Sequence, residues 1–334
     1  MLWIVIITKN FLDEEKTQMG KKKWFIVRLI FSGGLLWLLI SRLDWHRLFH
    51  LTLQAQWYLL LFAIGGTALS LTLSVFRWRV ILNDLGFKIT NNRVWYLTLS
   101  GFFFNQFLPS TVGGDGYRFL WLSRRFPHRQ GDIFTSLLLD RGYGFISLVG
   151  VHLILLPFLF PFIVRQPLLL LLESLIVIGS LLLGGGLIFV KKSLWNNKAG
   201  KIEKLPKRLT NWLHTFLRLL EAMLGRSHRT VALALIYSIL FIISNGITWG
   251  IYLRLVGIHT SWLMGLYVSS LAAIVGVIPI SVNGLGLMEG VMVLVLEPLG
   301  WSREGILLAS FWLRGINLIE AALGGILYIL SDQE

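Results

Sequence analysis

Apolar stretches of transmembrane length recur along the whole chain of 334 residues. A spanning helix needs about 20 apolar residues, because it rises about 1.5 Å per residue across about 30 Å of hydrocarbon. Charged residues make up only 14% of the chain, too few to cover a soluble domain of this size. The sequence therefore predicts an all-α polytopic membrane protein. Its candidate spans are 24–40, 57–76, 94–108, 133–160, 168–190, 231–253, 262–280, 287–296 and 306–330.

Basic residues lie mostly at the ends of these apolar stretches. A net charge of +14 could suit a nucleic acid. Placement at the ends of spans instead fits the positive-inside rule and contact with anionic lipid head groups. We therefore predict no nucleic-acid partner and assign the basic segments 77–93, 118–131 and 191–229 to the cytoplasm, together with both termini.

The first 18 residues differ from the rest of the chain. Their apolar run is too short to span a membrane, and an acidic patch comes directly after it. At Met19 a basic cluster begins directly before an apolar helix. We expect Met19 to be the start residue and residues 1–18 to be a non-native or disordered extension.

The stretch FLPSTVGGDGYR, residues 107–118, interrupts an apolar region with helix-breaking and charged residues. Both flanks are basic and hence on the same side, and 94–108 would extend only about 22 Å as a helix. We therefore predict a re-entrant hairpin near 94–118 that enters from the cytoplasm. Non-helical backbone at membrane depth is tolerated only where protein or water satisfies it, so the turn should line a cavity.

A second turn, IPISVNGLG at 278–286, matches LPSTVGGDG at 108–116. By this topology the second hairpin, near 262–296, enters the membrane from the outside. Two hairpins from opposite faces are typical of an inverted-repeat transporter. We predict about six full transmembrane helices plus the two hairpins, in halves 19–190 and 231–330 joined by a basic amphipathic cytoplasmic linker, 191–230. The matched positions are Pro109 with Pro279, Gly114 with Gly284, and Gly116 with Gly286.

Charged side chains inside the spans are the candidates for function, because each is costly unless paired or hydrated. Any one of them could belong to an architectural ion pair, such as Asp115 or Glu289 against Arg141 or Arg314. Taken together, arginines that face a cavity between two turns form a phosphate site, to which turn amides and helix N-termini contribute. The candidates are Asp115, Arg118, Asp140, Arg141, Glu289 and Arg314.

Signals for other chemistry are weak. The chain has no cysteine, and its seven histidines show no metal-ligand spacing. Phosphate-binding loop and serine-nucleophile motifs are also missing from the sequence. We predict no cofactor, no metal and no enzymatic activity.

Three motifs in order resemble the lysylphosphatidylglycerol synthase transmembrane-region family. FFFNQFLPSTVGGDGYR is similar to its signature N-x2-LP-x3-GG-[DE]-x2-R, LLLDRGYGF to its [DE]-R-x2-G helix, and IPISVNGLGLMEG to its second turn. Arg314 matches the closing helix, and the resemblance covers residues 19–330. By motif position it implies a substrate site at Asn105, Pro109, Gly113, Gly114, Asp115, Arg118, Asp140, Arg141, Gly284, Gly286 and Glu289.

The resemblance implies a flippase-like or scramblase-like transporter in a bacterial inner membrane. The family includes the flippase half of the multiple peptide resistance factor, so the expected substrate is a phospholipid or another anionic, lipid-linked head group. The aminoacyl-transferase domain of that factor is absent from this sequence, and we do not expect lipid lysylation.

Two alternatives stay open. One is a membrane-embedded enzyme acting on lipid phosphates, with Asp115 or Glu289 as base. The other is an accessory subunit for polyprenyl-linked sugars in envelope synthesis, with homo-oligomers or glycosyltransferases as partners.

Overall fold

The computed structural model describes residues 30–41, 43–107, 113–195, 221–223, 225–278 and 280–331. Over these residues the chain forms helices and connecting turns without a β-strand, which confirms the predicted all-α class. The extension 1–18, most of the linker 191–230 and the two turn prolines, Pro109 and Pro279, lie outside the described residues.

We number the α-helices of the described residues in chain order. Short 3-10 segments follow α5 and flank α10, at Pro127–Arg129, Val282–Gly284 and Glu297–Leu299. The α-helices are α1 Ile30–Ile40, α2 Trp45–Leu53, α3 Tyr58–Asp84, α4 Asn91–Phe107, α5 Gly113–Arg125, α6 Gln130–Ile163, α7 Pro167–Trp195, α8 His228–Leu255, α9 Trp262–Gly276, α10 Leu287–Leu296 and α11 Arg303–Ser331.

Five helical stretches of the described residues are long and apolar enough to cross a membrane. Four of them overlap predicted full spans, and the fifth contains the predicted short span 287–296. The remaining stretch, Val282–Leu299, contains the break before α10 and belongs to the second hairpin. The predicted spans 24–40 and 168–190 are described as the shorter apolar helices Ile30–Ile40 and Pro167–Leu182. The four are Tyr58–Asp84, Pro127–Ile163, His228–Leu255 and Arg303–Leu330.

Large apolar side chains cover the outer surface of the long helices. In water such a continuous surface would drive association, whereas lipid chains cover it without cost. This surface agrees with a multi-pass membrane protein. Among the most exposed are Leu61, Phe62, Leu69, Ile154, Phe158, Leu168, Leu181, Leu182, Ile329 and Leu330.

The two ends of the first hairpin, α4 and α5, lie at the same face of the protein. The guanidinium of Arg129, after α5, donates to the main-chain carbonyls of Leu85 and Gly86, before α4. Beside this contact the ring centroids of Phe87 and Phe126 lie 5.2 Å apart. Because α4 begins after one connection and α5 ends before the other, the hairpin enters and returns at one face, which we call the basic face.

Helix α8 runs from the basic face to the opposite face beside α3. Near its start, Thr230 Oγ1 donates to Asp84 Oδ1 at 2.8 Å, close to the first connection. At its end, the carbonyl of Leu255 accepts from the backbone N–H of Gln56 at 2.9 Å, just before α3 begins. The two helices pack against each other, and the ends joined at Leu255 mark the opposite face.

Both ends of the second hairpin, α9 and α10, lie at this opposite face. Ile258, just before α9, packs on Gly305 at the start of α11. A methyl group added at Gly305 would lie 3.1 Å from Cδ1 of Ile258. Helix α10 ends at Leu296, and only residues 297–302 separate it from α11. The two hairpins therefore enter from opposite faces, as the inverted repeat predicts.

Residues near the tips of the two hairpins contact each other at an exposed position. Asn283 Nδ2, in the second turn, donates to Gln106 Oε1, near the end of α4, at 2.9 Å. Helix α1 packs against the same turn, where Ser32 Oγ accepts from the backbone N–H of Val282 at 2.8 Å. In the part of the chain that the structure describes, these two contacts join the halves at the second turn.

The glycines matched between the two turns have different conformations. Gly114 and Gly116 lie within α5, whereas Gly284 and Gly286 have positive φ values of 68° and 79°. The first turn uses its glycines at the start of a helix, and the second uses them for a left-handed bend that other residues adopt at a cost. The match at these positions therefore does not reflect a shared local backbone.

We predict that cysteines at Lys88 and His128 react with an impermeant maleimide from one side of the membrane. Cysteines at His259 and Leu299 should react from the other side, because they lie on the connections at the opposite face. Labelling in right-side-out and inside-out vesicles checks this, since the chain has no native cysteine. Labelling of Lys88 and His128 from different sides would show that 91–125 crosses the membrane and is not a hairpin.

Candidate functional site

Four predicted site residues on α5 and α6 meet in one cluster of charges. Arg141 Nε donates to Asp115 Oδ2 at 2.8 Å. A terminal nitrogen of Arg118 lies 3.7 Å from Asp115 and 3.8 Å from Asp140. Asp115 and Arg118 share a helix face because they are three residues apart. We call this group, together with Arg77, the arginine cluster.

Arg77 is the member of this cluster that sequence reasoning missed. The basic pattern predicts a cytoplasmic loop over 77–93, and this is wrong for Arg77 because α3 continues to Asp84. Its Nε donates to Asp140 Oδ1 at 2.6 Å, and its NH1 to Ser238 of α8 at 3.4 Å. The missed signal is a helical spacing of buried residues through this region, at Val75, Trp78, Ile81 and Leu82.

The arginine cluster has an excess of positive charge. Three arginines face two aspartates, so one positive charge is unmatched within the cluster. The Nε of Arg118 is buried without a hydrogen-bond partner, and its guanidinium lies 4.7 Å from the ring of Trp78. The Arg118 side chain is 7% exposed, whereas the Arg141 side chain is 56% exposed. Arg141 is therefore the arginine of the cluster that an anion can reach.

Asn105 closes the first hairpin. Its Oδ1 accepts from the backbone N–H of Gly114 at 2.8 Å. At the same place α4 and α5 touch backbone to backbone, because a methyl added at Gly114 would lie 2.1 Å from the carbonyl oxygen of Gly101. In this structure the Gly114 amide is thus satisfied by the protein. Gly113 begins α5, and Pro109 lies outside the described residues.

The second group of predicted residues forms a separate cluster around Glu289. Its Oε2 accepts from the backbone N–H of Gly286 at 2.8 Å, and its Oε1 from Ser310 Oγ at 2.9 Å. Arg314 donates to both carboxylate oxygens, at 3.1 Å to Oε2, and to the carbonyl of Gly284 at 3.4 Å. The fully buried Glu289 accepts the hydrogen bond of the Gly286 amide, so this cluster holds the shape of the second turn. Because Arg314 is paired with Glu289, the cluster has no excess positive charge.

Both clusters contain ion pairs of the purely architectural kind that the sequence left open as an alternative to a binding site. Asp115 pairs with Arg141, and Glu289 with Arg314. A side chain removed from either pair leaves its partner buried or half-buried without its counter-charge, which costs about 3–5 kcal/mol for a buried pair. These residues therefore stabilise the hairpins whatever else they bind.

A shallow cleft of about 450 Å³ lies away from both clusters, at the opposite face. The cleft surrounds the start of α11. Gly324, which packs on Leu99 of the first hairpin, lies about 30 Å further along α11. Its arginines already face glutamates, Arg47 at 3.8 Å from Glu304 and Arg303 at 2.9 Å from Glu297. No group of three metal-ligating side chains is present in the described part of the chain.

We predict that Gly114→Ala destabilises the protein by about 1–3 kcal/mol, because the added methyl forces α4 and α5 apart. Gly116→Ala is the matched control, since nothing lies within 4 Å of a methyl there, and it should be neutral or slightly stabilising. Thermal unfolding of both variants in detergent checks this. Equal unfolding temperatures would contradict the close contact between the two helices.

A sequence model described as the Lysylphosphatidylglycerol synthase TM region matches residues 25–325. The match includes both hairpins, the arginine cluster and the cluster around Glu289. No curated protein sequence matches the chain significantly. With nearly the whole chain covered, the protein belongs to the lysylphosphatidylglycerol synthase transmembrane-region family, whose members are membrane proteins of lipid and envelope biology.

Proposed function

We propose that this protein is a flippase-like or scramblase-like transporter. It moves an anionic or lipid-linked head group across a bacterial inner membrane, without covalent chemistry and with both termini cytoplasmic. The observation that carries this proposal is the meeting of two oppositely directed hairpins at Gln106 and Asn283. Gln106 follows Asn105, which binds the start of α5, the helix that leads into the arginine cluster.

The tip contact is weak enough to open. Between the described residues of the two tips it is one hydrogen bond between neutral amides, worth about 0.5–1.5 kcal/mol. Separation of the tips would connect the two faces along a polar path, while the acyl chains stay against the apolar outer surface of the helices. A polar head group cannot otherwise cross the hydrocarbon without a penalty of several kcal/mol.

The arginine cluster supplies the phosphate site on this path. The planar guanidinium of arginine can bind two phosphate oxygens at once. A phosphate at Arg141 would replace Asp115, which keeps its second arginine partner, Arg118. The exchange substitutes one anion for another, so little charge is left unpaired during binding and release.

The enzyme alternative needs a carboxylate that is free to act as a base. Asp115 and Glu289 are both held by arginine in this structure, and Glu289 also accepts from Ser310 and the turn amide. This geometry favours transport. Partners other than lipid, whether a second copy or a glycosyltransferase, stay a prediction.

Purified protein in vesicles that contain fluorescent phosphatidylglycerol tests the proposal. Dithionite added outside should quench the inner-leaflet label faster than in protein-free vesicles, and faster than for fluorescent phosphatidylcholine. Equal rates with and without protein would overturn it. Mass spectrometry of the recovered lipid tests the enzyme alternative in the same samples, because transport leaves the lipid mass unchanged.

We predict that Arg141→Gln lowers the flux of phosphatidylglycerol about tenfold or more, because it removes a charge-assisted contact to phosphate. Arg124→Gln is the control, since Arg124 is exposed at the end of α5 on the basic face. Arg118→Lys should also lower flux, because Arg118 is the partner left to Asp115 when phosphate takes Arg141, and lysine lacks its planar fork. Thermal unfolding is measured on each variant. If flux follows thermal stability across the set, the arginines are structural braces and the phosphate site lies elsewhere.

A further inference from the structure

A second polar network is buried between α6, α7 and α9, apart from the arginine cluster. His152 Nε2 lies 3.0 Å from Glu173 Oε2, and His152 Nδ1 lies 2.9 Å from Ser270 Oγ. Tyr267 Oη donates to Glu173 Oε1, and the Tyr267 ring stacks on His152 with 5.4 Å between centroids. All four side chains are buried. We call this group the histidine network.

The network lies inside the apolar part of the protein. Each of its three helices has one end at the opposite face, within about three helical turns of the network. These ends are Ile163 of α6, Pro167 of α7 and Trp262 of α9. Its surroundings are core side chains, among them Leu155, Leu159, Leu169, Val268 and Leu271. Ionisable groups at such depth are costly, and in membrane proteins they mark ion or proton paths.

The hydrogen bonds indicate which groups carry protons. Ser270 has one hydroxyl hydrogen, and it donates to the carbonyl of Tyr267 at 2.9 Å. Towards His152 the same oxygen can therefore only accept. An anionic Glu173 can also only accept, and the two ring nitrogens are then both donors. This arrangement is satisfied when His152 is a cation beside an anionic Glu173.

Loss of one proton changes this pattern. A neutral His152 that still donates to Glu173 has a lone pair at Nδ1, which needs a donor. Ser270 is the group in contact with Nδ1, and it can donate only if it releases the carbonyl of Tyr267. The proton on His152 is thus linked to the hydrogen bond from the Ser270 side chain to the main chain of α9. Helix α9 is the first limb of the second hairpin.

Other charged groups near these helices have partners of their own. Asp140 and Arg141 lie about 17 Å along α6 from His152 and belong to the arginine cluster. On α8, the Tyr252 hydroxyl is an exception, because it is buried without a hydrogen-bond partner among the described residues. From α7 and α9, Glu173 and Tyr267 are the titratable groups in contact with the histidine, and Ser270 adds a hydroxyl. On α10, Glu289 pairs with Arg314. Histidine is the side chain whose ordinary titration falls near neutral pH.

We propose that His152 and Glu173 form a proton-binding site that controls the second hairpin and couples lipid movement to protons. This inference rests on the proposed transport function. Proton binding holds Ser270 on the α9 backbone, and proton release frees it. The tip at Asn283 then separates more readily from Gln106, and a pH difference across the membrane biases the movement of head groups.

A labelling experiment tests the proton site without any lipid flux. A single cysteine at Ile280, exposed at the second turn, is placed in the full chain and in a Ser270→Ala variant. The ratio of their labelling rates cancels the pH dependence of the thiol itself. It should change about two- to tenfold between about pH 5 and pH 8, which is the effect of one hydrogen bond. Ser269→Ala is the control, since Ser269 bonds the Leu266 carbonyl and should leave the pH dependence as it is in the parent chain.

Flux of fluorescent phosphatidylglycerol across vesicles with an imposed pH difference is the second measurement. The parent chain and Ser269→Ala should respond to the gradient, whereas Ser270→Ala and Glu173→Gln should not. Flux that ignores the gradient, with a constant labelling ratio, would overturn the proton site and leave transport intact. A labelling ratio that changes with pH in a protein without flux would overturn the transport function and the coupling to lipid.

Discussion

Main-chain polar groups at membrane depth must be satisfied inside the protein, and the two turns of this fold depend on that constraint. Each turn meets it with side chains from its own hairpin or from α1. Asn105 accepts from the amide of Gly114, Glu289 from that of Gly286, and Ser32 from that of Val282. Without these acceptors the second turn could not remain non-helical in an apolar environment, and the start of α5 would leave an amide unpaired. The hairpins, and the place where they meet, depend on these few contacts.

The charges obey the same constraint. A buried carboxylate such as Glu289 is tolerable only with a counter-charge, and Arg314 supplies it. In the first half the pairing is incomplete, because three arginines share two aspartates and Arg141 remains half exposed. The charges of the two hairpins are thus balanced to different degrees. The second is locally neutral, and we propose that the first offers the phosphate site.

Features that depend on local sequence were predictable, and those that depend on distant partners were not. The lengths of apolar stretches and the basic flanks indicated the hairpin near 94–118 and most of the long helices. The pairing of Arg77 with Asp140 and the contact of His152 with Glu173 depend on how separate helices pack, and no local pattern indicates these partners. The short helix α2 was also missed, although Asp44 caps it and Trp45, Phe49 and Leu53 recur every four residues on its exposed surface, as in an interfacial helix.

We propose that head groups pass where the hairpin tips separate. Cysteines at Gln106 and Asn283, joined by a short, reducible thiol cross-linker, test it most directly, with each single cysteine variant as a control for substitution alone. Cross-linking should stop the flux of fluorescent phosphatidylglycerol in vesicles, and reduction should restore it. Unchanged flux through a fully cross-linked protein would contradict the claim.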